Sequence, residues 1–245
     1  MNSRKYMPAR IAFVLLISAS SFAQQSPQPE PTKDDKPAFQ LETFYMAVMN
    51  RAEPFDGRKL ESLAGGQQQF WQGVADRGDL ILGGPVLVVK DTMAAVYVFR
   101  AADKPAAEKL ANSDPAVKAK LWTAFVIPWG VQKDYLKPLK NYDPSVSYYL
   151  GFLKRGPKFS PEDTPERARI QEAHLKNIGR LHEMGKLVVA GPFLEDNDYR
   201  GIFVFKTATM DEANELTNTD PAVQAGRLRI ELHEWKLPKE AFQAK

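Results

Sequence analysis

Three histidines and no cysteine set the acid–base chemistry open to this 245-residue chain near neutral pH. Imidazole is the side chain that titrates there unaided, and without thiols there are no disulfides, thiolate nucleophiles or thiolate metal sites. His174 sits in a run that reads as a helix. At about 100° per residue it projects between Ile178 and Leu181, on an apolar arc completed by Leu175. It therefore points inward, where a neutral imidazole needs a partner for its N–H. An aspartate on a neighbouring loop would orient the ring and leave the other nitrogen to accept a proton, a general base worth on the order of 10²–10⁴ in rate when well placed. The plainer reading is a satisfied core histidine. His182 lies eight residues further along the same arc and reads as core or rim. Asp220 is followed by Pro221, the pairing favoured at the N-cap and first position of a helical turn and worth about 1 kcal/mol as a cap. A second role for Asp220 requires that one carboxylate oxygen stay free. In the last apolar run, Arg229, Glu231 and His233 alternate with apolar neighbours. Their row either faces water on a sheet edge or lines a cavity between sheets and binds a polar ligand. No metal site is expected: His174 and His182 lack the i, i+4 spacing of a helical zinc pair, and there is no HExxH motif. No cofactor is expected either, since the sequence has no phosphate loop or nucleotide fingerprint.

These residues sit in a sequence that repeats itself. Asp114-Pro115-Ala116-Val117 recurs as Asp220-Pro221-Ala222-Val223, and the same offset superimposes Ala95–Phe99 on Gly201–Phe205 and Trp129 on Trp235. Upstream the offset grows by one, pairing Gly84-Pro85 with Gly191-Pro192, which read as strand ends or turns. It also sets Gln67 opposite His174 and Ala75 opposite His182. Near each start, Phe44–Met49 matches Tyr148–Leu153. Two copies of one domain follow, and the second carries a titratable group where the first has an amide.

Residues 1–23 combine Arg4, Lys5 and Arg10 with an apolar run from Ile11 to Ile17 and Ser21-Phe22-Ala23. This predicts a secretory signal peptide cleaved after Ala23, hence a periplasmic or secreted protein. The apolar run is too short for a spanning helix, which needs about 20 residues, so no membrane association is expected after cleavage. The segment holds three of the 33 basic residues and none of the 30 acidic ones, so the mature chain is balanced. A balanced chain has no electrostatic footprint for nucleic acid or anionic lipid. Residues 24–40, rich in Gln, Pro, Lys and Asp, read as a disordered tether. The rest divides into 41–136 and 145–240, each long enough for its own core.

Each copy reads strand, helix, strand, strand, helix, strand. In the second copy the strands are about 146–154, 187–191, 201–206 and 228–236, and the helices 165–184 and 210–218. Pro165 opens the first helix and Gly185 closes it. This order gives a ferredoxin-like α+β unit with both helices on one face of an antiparallel sheet. Yet Tyr148–Leu153 and Ile202–Phe205 are apolar at consecutive positions, the mark of a strand buried on both faces. Helices cover only one face, so the other must be covered by the second sheet. The predicted fold is α+β, two ferredoxin-like βαββαβ domains packed sheet to sheet as an intrachain pseudo-dimeric α+β barrel.

The helix bearing His174, the strand ending Leu187-Val188-Val189-Ala190-Gly191-Pro192, the Phe203-Val204-Phe205 strand and the Asp220-Pro221-Ala222-Val223 turn with Ala225-Gly226 resemble the YCII-related domain family. The resemblance spans both repeats and is stronger in the second. It implies the dimeric α+β barrel superfamily, which includes small cofactor-free oxygenases and isomerases. It also implies a functional pair of a first-helix histidine and the aspartate of the Asp-Pro motif, here His174 and Asp220. The first copy keeps Asp114 but has Gln67, so it lacks the pair. Two functional readings follow. One is an exported, cofactor-independent enzyme moving a proton on a small organic molecule. The other is a non-catalytic small-ligand-binding or structural module.

Overall fold

The computed structural model describes residues 40–87 and 92–242. The expected signal peptide, and the tether up to residue 39, lie outside the described residues. The first half runs β1 (Leu41–Arg51), α1 (Gly57–Asp76), β2 (Leu80–Leu87), β3 (Met93–Phe99), α2 (Lys104–Ala111), α3 (Pro115–Lys118) and β4 (Trp122–Gln132). The second repeats it as β5 (Pro144–Arg155), α4 (Pro165–Glu183), β6 (Leu187–Pro192), β7 (Tyr199–Phe205), α5 (Met210–Asn218), α6 (Pro221–Gln224) and β8 (Leu228–Pro238). Local chemistry sets the ends of α4. Thr164 caps it by accepting from Arg167 N–H, Pro165 takes the first helical position, and Gly185 at φ 67° turns the chain out. No helix among the described residues is long and apolar enough to cross a membrane.

All strand pairings are antiparallel, and the eight strands are ordered β4-β1-β3-β2-β8-β5-β7-β6. Each half is therefore a four-stranded ferredoxin-like sheet, and β2 joins β8 through Val86 opposite Trp235. Trp129 on the outer strand β4 then bridges Phe193, the residue just past the outer strand β6, and Leu194 N–H donates to Pro128 O at 2.9 Å. The sheet thus closes on itself, which explains the strands without a polar face. In β5, Tyr148, Leu150 and Phe152 point into a core shared by both halves, while Tyr149 and Leu153 pack under the helices with Ile178, Leu181, Phe203 and Phe205. The fold is the pseudo-dimeric α+β barrel that the apolar strands imply.

The β5 strand flanks β8 along its length, while β2 pairs with it at Glu234 and Trp235 among the described residues. The row of Arg229, Glu231 and His233 lies opposite the helix-covered side, which Leu228, Ile230 and Leu232 occupy, and runs from water at the exposed Arg229, through the half-buried Glu231, to the buried His233. Gly84-Pro85 lies within β2 and not at a turn; only Pro192 ends its strand.

Candidate functional site

The α4 helix and the turn opening α6 bring His174 and Asp220 together. His174 Nδ1 lies 2.7 Å from Asp220 Oδ2, while Asp220 Oδ1 accepts from Ala222 N–H at 2.8 Å. One carboxylate thus caps α6 with one oxygen and holds the imidazole with the other. Both side chains are buried. An ionised carboxylate only accepts, so Nδ1 carries the hydrogen and Nε2 presents a lone pair. Nε2 has no protein partner among the described residues and is not sealed from solvent. The ring stacks on Phe203, centroids 5.9 Å apart, which fixes its plane.

The equivalent place in the first half is chemically different. Asp114 accepts from Ala116 N–H at 2.7 Å, from Trp71 Nε1 at 2.9 Å and from Gln67 Nε2 at 3.2 Å. Burial raises its pKa above the usual carboxylate value, against the pull of those donors. Its donors do not titrate near neutrality. This carboxylate is a structural knot, whereas Asp220 faces a group that can exchange a proton.

Two further polar side chains lie near His174 on α4. Gln171 Nε2 is buried without a partner, as is Asn177 Nδ2, while Asn177 Oδ1 accepts from Arg180 Nη2 at 2.8 Å. Their counterparts at the same offset are Ala64 and Phe70, so the second half has gained polar groups beside its histidine. Comparing the repeats exposes them, since each stands opposite an apolar residue of α1.

The β8 row sits apart from the pair. Glu231 is bridged by Lys154 Nζ at 2.6 Å and by Arg229, and Arg229 also reaches Asp198 at 3.0 Å. Burial disfavours the Glu231 charge, but its two cationic neighbours outweigh that and hold its pKa below the usual range. His233 is buried against the edge of the Phe152 ring, centroids 5.8 Å apart. Among the described residues no cluster of three or more His, Asp or Glu is placed to hold a metal ion.

A shallow, solvent-open cleft enclosing about 30 Å³ lies where β4 of the first half meets α4 and β6 of the second. It is lined by Val131, Tyr135, Ile178, Gly179, His182 and Val188 among others, and by neither His174 nor Asp220. His182, expected as core or rim, is half-buried on its wall.

The closed arrangement of two ferredoxin-like sheets defines a dimeric α+β barrel class. A variant chlorite dismutase from Candidatus Nitrospira defluvii has the same fold at a TM-score of 0.51 and 9% identity, over 81% of this chain and 91% of that one. A heme-binding protein from Thermus thermophilus follows at 0.50 and 12%, over 83% and 95%. The model of the YCII-related domain matches residues 152–236. The uncharacterised protein YjpA of Bacillus subtilis (strain 168) is 30% identical over 91 residues, 37% of this chain and 96% of the relative. The chain belongs to the YCII-related domain family.

Proposed function

We propose that the second half is a proton-transfer site for a small organic molecule, with His174 Nε2 as the base, Asp220 orienting the ring, and Gln171 Nε2 donating to an oxygen of the substrate. The observation that carries this is the 2.7 Å contact between His174 and Asp220, beside a first-half Asp114 saturated by Trp71 and Gln67. A buried donor without a partner costs about 1–3 kcal/mol, and a substrate carbonyl oxygen would relieve that at Gln171. Arg229, Glu231 and His233, along β8, are proposed as a separate polar ligand contact. The same reading takes 41–136 as a diverged copy of the matched domain, 145–240 as the functional copy, and residues 1–23 as an export signal.

A heme, which the Thermus protein binds, does not fit the cleft beside His182. That cleft encloses only about 30 Å³ and is otherwise open to solvent, so it cannot bury a macrocycle, and its lining has no lysine or arginine to meet the propionates. The proton-transfer reading is tested by incubating the protein with enolisable small ketones and keto acids in D₂O and following loss of the C–H signal. Exchange by the parent that disappears in His174→Gln, which installs the residue found at Gln67, supports it. Equal exchange by both overturns it. The non-catalytic reading draws on one observation: the cleft does not reach His174. Absence of exchange with every compound would favour it.

A further inference from the structure

In the first half, the groove between α1 and β2 is filled by the chain itself. The linker after β4 crosses it, with Leu139 N–H donating to Leu80 O at 2.7 Å and Gln72 Nε2 donating to Lys140 O at 3.0 Å. Tyr142 N–H donates back to Gln72 Oε1 at 2.9 Å, and the side chains of Leu139 and Tyr142 are buried. The repeat places Gln72 on Gly179 and Leu80 on Leu187, and both of those line the cleft of the second half.

There the strand is finished differently. His182 Nδ1–H donates to Leu187 O at 3.1 Å and the Tyr135 hydroxyl donates to Val188 O. With these two carbonyls already met by side chains, the strand offers little to a second crossing segment. Gly179 leaves open the space that Gln72 fills, since a Cβ added there meets nothing within 4 Å. With Nδ1 committed as a donor, Nε2 of the neutral His182 ring is an acceptor; it has no protein partner among the described residues and is not sealed from solvent. The Tyr135 oxygen, its hydrogen already given, likewise only accepts. Around these two acceptors the walls are aliphatic at Val131, Ile178, Val189 and Ala190, and Gln132 adds one neutral amide to the lining.

An apolar slot with acceptors and no charged lining selects a neutral, compact molecule that brings a donor. We propose that this cleft is a binding site for a single-ring aromatic molecule carrying a hydroxyl, its ring on Ile178 and Val189 and its O–H donating to His182 Nε2. The site includes neither His174 nor Asp220, so it stands or falls apart from the proton-transfer reading.

The test uses 4-methylphenol, with toluene and benzoate as controls, titrated into the full chain by calorimetry and by NMR of the ligand. Saturable 1:1 binding of 4-methylphenol, at least tenfold tighter than toluene and with no binding of benzoate, is expected. Gly179→Leu should weaken it at least tenfold by filling the slot. His182→Phe should keep the apolar wall and level the preference between 4-methylphenol and toluene. Thermal unfolding of each variant without ligand checks the fold, and if Gly179→Leu does not fold, His182→Phe decides alone. Unchanged binding in folded variants, or equal binding of all three probes, overturns the proposal. So does binding that appears only once residues 24–39 are removed. That result would assign the cleft to the chain's own leading segment, which enters β1 beside it where Lys133 N–H donates to Gln40 O at 2.8 Å.

Discussion

Asp114 and Asp220 cap equivalent turns, yet the groups that lean on them differ, and so does the damage from removing each. Asp114→Ala strips the acceptor from Trp71 Nε1, Gln67 Nε2 and Ala116 N–H. At about 1 kcal/mol for the cap and about 1 kcal/mol or more for each buried donor left unpaired, that is about 3 kcal/mol. Asp220→Ala loses a cap and one histidine contact, about 2 kcal/mol on the same scale. Denaturant unfolding of the two variants should therefore rank Asp114→Ala as the more damaging; the reverse order would make Asp220 the structural residue. His174 is legible in the sequence because the repeat sets it against Gln67, and its link to Asp220 because the family motif supplies it. The part played by Trp71 is not legible, since an indole four residues after Gln67 reads as core until the fold turns its N–H toward Asp114. Gln171 is missed for a related reason: a half-buried glutamine on a helix has no pattern of its own, and only the lost Ala64 counterpart marks it.

Between elements, the linker from Gln132 to Pro144 proves to be a packed strap and not a spacer. Its apolar residues Leu136, Leu139 and Tyr142 follow neither a helical nor a strand period, so sequence pattern leaves it unassigned. Its partners on α1 and β2 lie far away in the chain. The strap brings Tyr142 to Tyr97, hydroxyls 3.1 Å apart, and Tyr97 stacks on Trp71 with centroids 3.6 Å apart. Burial pushes both phenols up, Tyr142 to about 12 and Tyr97 well above the usual value. A phenol whose pKa is raised on folding stabilises the protein below its unfolded value, near pH 10, and that contribution is lost as pH rises toward the folded value. Alkaline titration followed by tyrosine absorbance should show these two phenols ionising only together with unfolding, and Tyr142→Phe should lower the Tyr97 ionisation pH. Ionisation of all tyrosines near pH 10 in the folded protein would refute the buried pair. The β5–β8 ladder carries the opposite sign. Lys154 and Arg229 depress Glu231, so its contribution is present above the usual glutamate value of 4.5 and is lost as pH falls through its lower folded value. Glu231→Gln should remove this part of the acid limb below pH 4.5 and lower neutral stability by the same small amount, as expected for a partly exposed bridge.

At the scale of the whole molecule, the doubly apolar strands make closure legible, but not which edges close it. The two seams are unequal. At the first, β2 and β8 pair directly, and Trp235 Nε1 donates to Gly84 O and Val96 O, both at 3.2 Å. At the second, a single bridge joins β4 to Phe193 just past β6, and Trp129 Nε1, equivalent to Trp235 in the repeat, is buried without a partner. The repeated glycines explain how either seam can form. A Cβ on Gly84 would lie 2.0 Å from Lys236 O, and one on Gly191 would lie 2.2 Å from Gly130 O. Both contacts are with backbone of the other half, which a rotamer change cannot relieve. Sequence alone gives these Gly-Pro pairs the look of turns, because the backbone they touch is more than 60 residues away. Since the inner face holds Leu150, Phe152, Ile202, Val204 and Trp235, neither half can give that surface to water. Isolated residues 144–242 should therefore dimerise or aggregate, and a soluble folded monomer by light scattering would refute the shared core. Gly191→Ala tests the weaker seam within the intact chain. Overpacking of this kind costs about 1–3 kcal/mol, and because β4 and β6 hold so little else in common, the strain should be relieved by parting them. Amide exchange should then speed up at Leu194, whose N–H reaches across to Pro128, while Val86 and Trp235 at the other seam keep their protection. Gly84→Ala should cost at least as much and loosen Val86 instead. If Gly191→Ala leaves Leu194 protected, the second seam is not held by the close approach of Gly191 to Gly130.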